Sequence, residues 1–193
     1  MSSPERQNLF TAESQELAEE VIRSQHLYRG RIVSLRLDTV RLTNGREATR
    51  EVVEHVPAAA AVPLLADGGV VLVEQWRQPV GRPLLEIPAG IVEPGEEPLQ
   101  TIRRELVEET GYTAGRLELL LATYLAPGYS QELIHIFLAE DLQPGVATPD
   151  ADELLHVRIV PLAEAVAACL RGELTDAKTV VGLLTAAARR SLR

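Results

Sequence analysis

Three glutamates in one short helix constrain this chain more than any other part of its sequence. The segment from Pro98 to Thr110 begins with a proline and stops before Gly111, which predicts about three helical turns. The three carboxylates lie at positions i, i+3 and i+4: Glu105, Glu108 and Glu109. Like charges at these spacings cost roughly 0.2–0.5 kcal/mol per pair, and acids in the last turn also oppose the helix dipole. They therefore indicate either a solvated acidic surface or a site that needs carboxylates.

A hard divalent cation is the ligand that suits such a cluster best. Mg2+ takes oxygen ligands and commonly lies between one or two carboxylates and the phosphates of a substrate. Arg104 is placed to pair with Glu108 at i+4 and hold it. Taken alone, three glutamates at this spacing more often form a solvated helix face. The residues around the helix decide between these two interpretations.

A longer pattern of fixed spacings surrounds the glutamates. Gly90 is followed by Glu96 after five residues and, after seven more, by the run RELVEETGY from Arg104 to Tyr112. This pattern resembles the Nudix box, GX5EX7REUXEEXGU with U apolar, at every defined position. The resemblance implies an α/β fold, a Nudix-type α/β/α sandwich with a mixed sheet, and Mg2+-assisted attack of water on the diphosphate of a nucleoside diphosphate linked to another group.

The same resemblance assigns roles to the residues of the box. It implies that Arg104 belongs to the catalytic set, and that Mg2+ is held by three carboxylates with a backbone carbonyl. We expect that Mn2+ or another divalent cation can substitute for it. The implied metal ligands are Ala89, Glu105, Glu108 and Glu109.

Residues outside the box narrow the resemblance to the ADP-ribose pyrophosphatase branch. EQWR, ending at Arg77, and EIPAG, beginning at Glu86, resemble the approach to the box in that branch. Pro127 lies sixteen residues beyond Gly111, within LAPGYSQE, and a proline at about that distance is associated with ADP-ribose hydrolysis. The run GELTDAKT from Gly172 to Thr179 is also similar, so the resemblance extends from about residue 28 to residue 188.

The branch also implies a set of substrate contacts, each of which has a simpler explanation. The implied contacts are Arg50, Glu51, Arg77, Glu86, Pro127, Gly128 and Glu132. An arginine at a strand end suits a phosphate clamp, but it is often only a surface charge, and Glu86 could do no more than pair with it. Pro127-Gly128 could be any tight turn. Arg50-Glu51 resembles the RE pair that reaches the substrate, often from a partner subunit, although charges that flank an edge strand are common.

The general base is the least constrained assignment. The branch often places it as a glutamate on a later loop, and the acidic segment with Asp150, Asp152 and Glu153 comes just before a predicted strand. Glu153 fits that place best, either as the base or as a further metal ligand. The alternative is that the segment is only a solvated acidic loop.

Composition limits which partners the chain can have. Its 193 residues, 46% of them hydrophobic, suit a globular protein with a sizeable core, and a net charge of -9 argues against nonspecific nucleic-acid binding. The single cysteine, Cys169, excludes an internal disulfide. We see neither a signal peptide nor an apolar run long enough to span a membrane, so the expectation is a soluble cytoplasmic protein.

Two parts are expected along the chain. Residues 1–57 predict a small antiparallel β subdomain with a hairpin turn at Asn44-Gly45, because runs of alternating apolar residues precede and follow it. Residues 15–22 form either a short helix or the approach to a strand. This sheet looks too small to stand alone, so we expect a homodimer formed through it.

Residues 58–193 predict the Nudix domain itself. An apolar hairpin of residues 58–65 and 70–77 is expected at the centre of a sheet. Further strands are expected at 117–124, 133–139 and 155–160, with helices at 161–170 and 176–189.

The main hypothesis is Mg2+-dependent hydrolysis of ADP-ribose to AMP and ribose 5-phosphate. One alternative is another nucleoside diphosphate sugar, such as GDP-mannose, because the base pocket is not legible in the sequence. An alternative from another class is a noncatalytic nucleotide-sensing module, against which the intact glutamates argue. We expect a small-molecule substrate and neither a nucleic acid nor a membrane as a partner.

Overall fold

The computed structural model describes residues 16–149 and 153–192. Its elements in chain order are β1 (Glu19–Arg29), β2 (Val33–Leu42), β3 (Glu47–His55), β4 (Ala58–Pro63), β5 (Gly69–Arg77), β6 (Arg82–Glu86), β7 (Ala89–Ile91), α1 (Pro98–Thr110), β8 (Tyr112–Tyr124), β9 (Leu133–Pro144), β10 (Leu155–Pro161), α2 (Leu162–Leu170) and α3 (Ala177–Ser191). They form two compact units. One takes the chain up to His55 and also Gly128–Gln131, and the other takes Val56–Pro127 and Glu132–Arg193.

The first unit is an antiparallel sheet in the order β1-β2-β3. The hairpin predicted at Asn44-Gly45 joins β2 to β3, and Gly45 has the positive φ of 82° that such a turn requires. β1 continues to Arg29, well past the segment 15–22 in which a helix or the approach to a strand was predicted. Its sequence, EEVIRSQHLYR, lacks a period-two pattern because all of its side chains are exposed.

Gly128–Gln131 also belongs to the first unit, which a division of the sequence at residue 57 does not foresee. Val53 of β3 donates its N–H to the carbonyl of Tyr129 at 2.8 Å and accepts the N–H of Gln131 at 3.2 Å. The segment therefore runs alongside β3 and pairs with it.

The second unit contains two sheets, in the orders β10-β5-β6 and β7-β4-β9-β8. β4 is buried along its whole length and runs parallel to β9. One face of this pair packs on Ile102 and Leu106 of α1, and the opposite face contributes to a core that contains Leu183 of α3. A mixed sheet between helices is the α/β/α arrangement that the resemblance implied.

The predicted hairpin of β4 and β5 is wrong. Both strands are central, but they lie in different sheets and share only an isolated bridge between Leu64 and Val70. A run of buried apolar residues indicates a central strand without indicating which strand pairs with it. β6 and β7 were not predicted, and β8 begins at Tyr112, five residues before the predicted start.

The helices α2 and α3 lie within two residues of their predicted bounds. Among the described helices, none is long and apolar enough to cross a membrane.

Candidate active site

Local sequence fixes both ends of α1. Glu97 and Gln100 form a capping box at its start, in which the Gln100 side chain accepts the N–H of Glu97 at 2.9 Å. Gly111 ends the helix with a φ of 76° and donates its N–H to the carbonyl of Val107 at 2.8 Å. Because Ile102 and Leu106 are buried against β4, the rotation of the helix about its axis is fixed.

That rotation places two of the glutamates against β7. Glu109 is only 3% exposed, and its carboxylate accepts the N–H of Ala89 at 3.1 Å. Glu105 covers Gly90 so closely that a Cβ built on this glycine would lie 1.9 Å from Oε1 of Glu105. Glycine is therefore required at position 90 to leave room for the Glu105 carboxylate.

Arg104 joins the remaining carboxylates of the box. Its guanidinium donates to Glu105 at 2.8 Å and to Glu108 at 2.9 Å, the latter being the predicted i+4 pair. It also donates to both oxygens of Glu96, at 3.2 and 3.1 Å. The bonds from Arg104 and Thr101 lower the pKa of Glu96 to about 2. Arg104 is thus the centre of a cluster with three acids.

Ionisation is unfavourable for two of the glutamates. Burial raises the pKa of Glu109 to about 8, with a further contribution from the charge of Glu105. Burial also raises the pKa of Glu105, although Arg104 opposes this rise. The charge of Glu153 raises both pKa values, so the structure brings this predicted base close to the cluster. Asp150 and Asp152 lie outside the described residues.

The donor set fits a hard divalent cation. In the described ranges, no group of three or more His, Cys, Asp or Glu side chains is arranged to hold a metal ion. Arg104 donates to Glu105 and Glu108, and the Ala89 N–H donates to Glu109. The buried carboxylates of Glu105 and Glu109, whose pKa values are raised, are nevertheless what a cation would stabilise. Glu105, Glu108 and Glu109 could hold Mg2+ once it replaces the charge of Arg104.

A second cluster adjoins the first. Arg77 binds Glu86 through two parallel bonds of 2.7 Å, and Lys178 contacts the same carboxylate. Burial alone would raise the pKa of Glu86, but the bond from Arg77 and the charge of Lys178 outweigh it and lower the pKa. The charge of Glu109 acts on Arg77, which shows that the two clusters are neighbours.

The other predicted contacts lie on other segments of the chain. Pro127 is exposed at the turn after β8, and Glu132 directly precedes β9. Arg50, Glu51 and Gly128 belong to the first unit, where Arg50 binds Glu19 at 2.5 Å. The second unit therefore contains the box residues, Ala89, Arg77, Glu86 and Glu153. The first unit contains Arg50, Glu51 and Gly128.

Sequence reasoning did not assign a role to Lys178, Asp176 or Thr179. Asp176 caps α3 by accepting the Thr179 N–H at 3.0 Å, and the Thr179 hydroxyl accepts the N–H of Ile87 at 2.9 Å. An Asp three residues before a Thr at a helix start does predict a cap. It does not predict which strand the helix will meet, because the contact spans 92 residues.

Gly90→Ala is expected to lower kcat/KM by about 10²-fold with little loss of stability, since misplacing a catalytic group by about 1 Å can cost that much. The added methyl group would meet the far end of a flexible side chain, so Glu105 can move aside at low cost. Steady-state kinetics and the thermal midpoint measure the two effects. If the alanine acts through Glu105, it has no further effect in a Glu105→Gln background. Full activity of Gly90→Ala would contradict this geometry.

The stability of the metal-free protein is expected to fall as the pH rises from about 4.5 to about 8. Glu109 has its pKa raised in the folded state, so between these values the folded protein binds more protons than the unfolded chain does. Urea unfolding at a series of pH values, with a chelator present, measures this slope. Glu109→Gln should flatten it, and an unchanged slope in that variant would assign the effect to other groups.

Comparison with known proteins gives two family matches. The NUDIX domain family matches residues 54–181, and the nucleoside diphosphate sugar hydrolase N-terminal domain matches residues 19–53. An ADP-ribose pyrophosphatase of Bacillus subtilis strain 168 is 39% identical over 86% of this chain and 91% of its own. A methanol dehydrogenase activator of Bacillus methanolicus is 36% identical over 86% of this chain and 90% of its own. A crystal structure of an ADP compounds hydrolase is 25% identical and superposes with a TM-score of 0.79, covering 91% of this chain and 95% of that one.

Proposed function

Because this chain belongs to the Nudix family and is one of its hydrolases, we propose that it hydrolyses the diphosphate bond of ADP-ribose to AMP and ribose 5-phosphate. The observation that carries this proposal is the acidic surface of α1, where buried Glu109 and Glu105 have raised pKa values and lie beside the ion pair of Arg77 with Glu86. Such a surface binds a divalent cation, and a cation with a guanidinium together bind a diphosphate.

The chain's own side chains would divide the work. Glu105, Glu108 and Glu109, with the carbonyl of Ala89, hold Mg2+, which when bound neutralises phosphate charge and lowers the pKa of water in the site. Arg77 has three N–H groups that are not used on Glu86, and it donates them to phosphate oxygens. Glu153 takes the proton of the attacking water.

Arg104 needs a different account from the other residues of the box. Its bonds to Glu105 and Glu108 neutralise these acids when no cation is present. With Mg2+ bound to these acids, the two bonds to Glu96 would keep Arg104 beside them as a positioning group.

The N-terminal unit is the part of the chain that we propose forms a dimer. β1 is an exposed edge strand that carries apolar side chains, among them Val21, Leu27 and Tyr28. We infer that residues 1–57 act as a subdomain that pairs two copies of the chain, and that Arg50, Glu51 and Gly128 complete the substrate contacts with Pro127 and Glu132. Light scattering after size-exclusion chromatography should give the mass of a dimer, and a monomer at micromolar concentration would oppose it.

Product analysis tests the reaction itself. The protein is incubated with Mg2+ and, separately, with ADP-ribose, NADH, GDP-mannose, a diadenosine polyphosphate and a nucleoside triphosphate, and the products are identified by chromatography. AMP with ribose 5-phosphate as the fastest products supports the proposal. Faster cleavage of GDP-mannose would identify a different nucleoside diphosphate sugar as the substrate. If the protein binds these compounds but cleaves none of them, a noncatalytic sensing module is favoured.

A further inference from the structure

The first turn of α3 places the buried cation of Lys178 behind the ion pair of Arg77 with Glu86. The Lys178 side chain is only 9% exposed, and its Nζ contacts Glu86 and lies 3.0 Å from Asp176. Glu86 is 0% exposed, so neither of these two residues can reach a ligand from solvent. Arg77, with 38% of its side chain exposed, is the most exposed of these four residues, since Asp176 is 17% exposed. The segment GELTDAKT therefore places Lys178 on the buried side of Arg77, which binds substrate in the proposed function.

Charge explains why a second cation is needed there. Glu86 and Asp176 are two acids in one largely buried place, and Lys178 is bound to both. The charge of Asp176 also acts on Arg77. Without Lys178, Arg77 would be the one cation left in this set for both acids, and a buried carboxylate without a partner is strongly unfavourable. The guanidinium of Arg77 would then be drawn inward, away from an external phosphate.

The neighbouring contacts hold the lysine in register. Asp176 caps α3 at Thr179, and the Thr179 hydroxyl binds the N–H of Ile87, the residue that follows Glu86. The start of α3 is therefore fixed to the chain segment that carries Glu86 and Ala89. A helix start that is capped and bonded in this way cannot move its lysine without breaking several hydrogen bonds.

We propose that Lys178 is a positioning residue: acting through Glu86, it holds the guanidinium of Arg77 in the orientation that binds a substrate phosphate. This inference rests on the proposed function, because it gives Arg77 a phosphate to bind. It assigns to the DAKT segment a purpose other than capping a helix.

A double-mutant cycle tests the coupling. Lys178→Met keeps the length of the buried side chain and removes its charge, and it lowers kcat/KM for ADP-ribose by 10-fold or more, mainly through KM. Arg77→Met lowers it at least as much. In the Arg77→Met background, Lys178→Met has at most about a twofold further effect, because the group it positions is absent. Equal losses in both backgrounds, or wild-type kinetics for Lys178→Met, overturn the proposal.

Two further variants separate positioning from general stability. Arg158 forms an exposed pair with Glu74 that joins β10 to β5 at 2.7 Å, in the same unit but outside the set described above. Arg158→Met leaves kcat/KM unchanged in either background, and a loss in that variant would show that any broken ion pair lowers activity. If Lys178→Met fails to fold, Glu86→Gln takes its place in the cycle, since the amide keeps the volume of the side chain and removes its charge.

The cycle can also be separated from the identity of the reaction. If the wild-type protein cleaves no ADP-ribose, the proposed function fails. The same four proteins are then compared by calorimetric affinity for ADP-ribose, without turnover. A Lys178→Met loss that disappears when Arg77 is already methionine still supports the positioning role, and independent losses overturn it.

Discussion

Glu109→Gln is expected to lower kcat by about 10³-fold or more, while the metal-free protein stays as stable as the wild type or becomes more stable. A bound cation contributes several kcal/mol to the transition state, and each 1.4 kcal/mol is about tenfold in rate. The two effects have opposite signs because burial raises the pKa of Glu109 to about 8, so its charge opposes folding at higher pH. A glutamine keeps an acceptor for the Ala89 N–H and carries no charge.

Kinetics and chemical unfolding of the same variant check both signs. Unfolding is measured at pH 8.5 with a chelator, where the wild-type carboxylate is largely ionised, and Mn2+ affinity is measured by calorimetry. Glu164→Gln serves as the control, since Glu164 is an exposed acid on α2 that pairs with Arg171 outside the site. A Glu109→Gln protein that keeps wild-type turnover would remove this residue from the metal site.

Glu153→Gln is the second large effect, with an expected loss in kcat of about 10²–10⁴-fold and a modest change in KM. Loss of a general base removes the proton acceptor without removing the groups that bind substrate. Glu153 lies near two of the proposed metal ligands, because its charge raises the pKa values of both Glu105 and Glu109.

Metal affinity distinguishes the two roles open to Glu153. A base should leave the affinity for Mg2+ or Mn2+ nearly unchanged, whereas a metal ligand should weaken it by at least tenfold. Glu140→Gln is a suitable control, because this acid lies on β9 and pairs with Arg116 of β8, neither of which belongs to the acidic cluster. Unaltered turnover in Glu153→Gln would remove Glu153 from the mechanism.

The sequence predicts some parts of this site well because their causes are local. α1 has the bounds Pro98–Thr110 that were predicted, since a proline at its start and a glycine at its end act within a few residues. The Arg104–Glu108 pair follows from helical spacing alone. The resemblance implied that the carbonyl of Ala89 is a metal ligand, which stays a prediction, and the structure shows that the N–H of the same residue binds Glu109.

Other parts have causes that a local pattern does not contain. β1 has no alternation, because all its side chains are exposed, and β4 and β5 separate into different sheets although both are apolar. The contact of Lys178 with Glu86 joins residues that are 92 positions apart, so it depends on how α3 packs. Packing also decides that Glu86 is wholly buried behind Arg77, which favours an indirect role over the substrate contact implied by the resemblance.

The pairing of Gly128–Gln131 with β3 has a consequence for anyone who wishes to work with a shorter protein. An expression clone that starts at Val56 would keep the whole box, yet it would delete Val53, whose backbone groups bind Tyr129 and Gln131. The loop that follows Pro127 would then lose the strand that gives it its shape. Trimming at the apparent boundary therefore yields a fragment that keeps α1 but lacks the β3 partner of Tyr129 and Gln131.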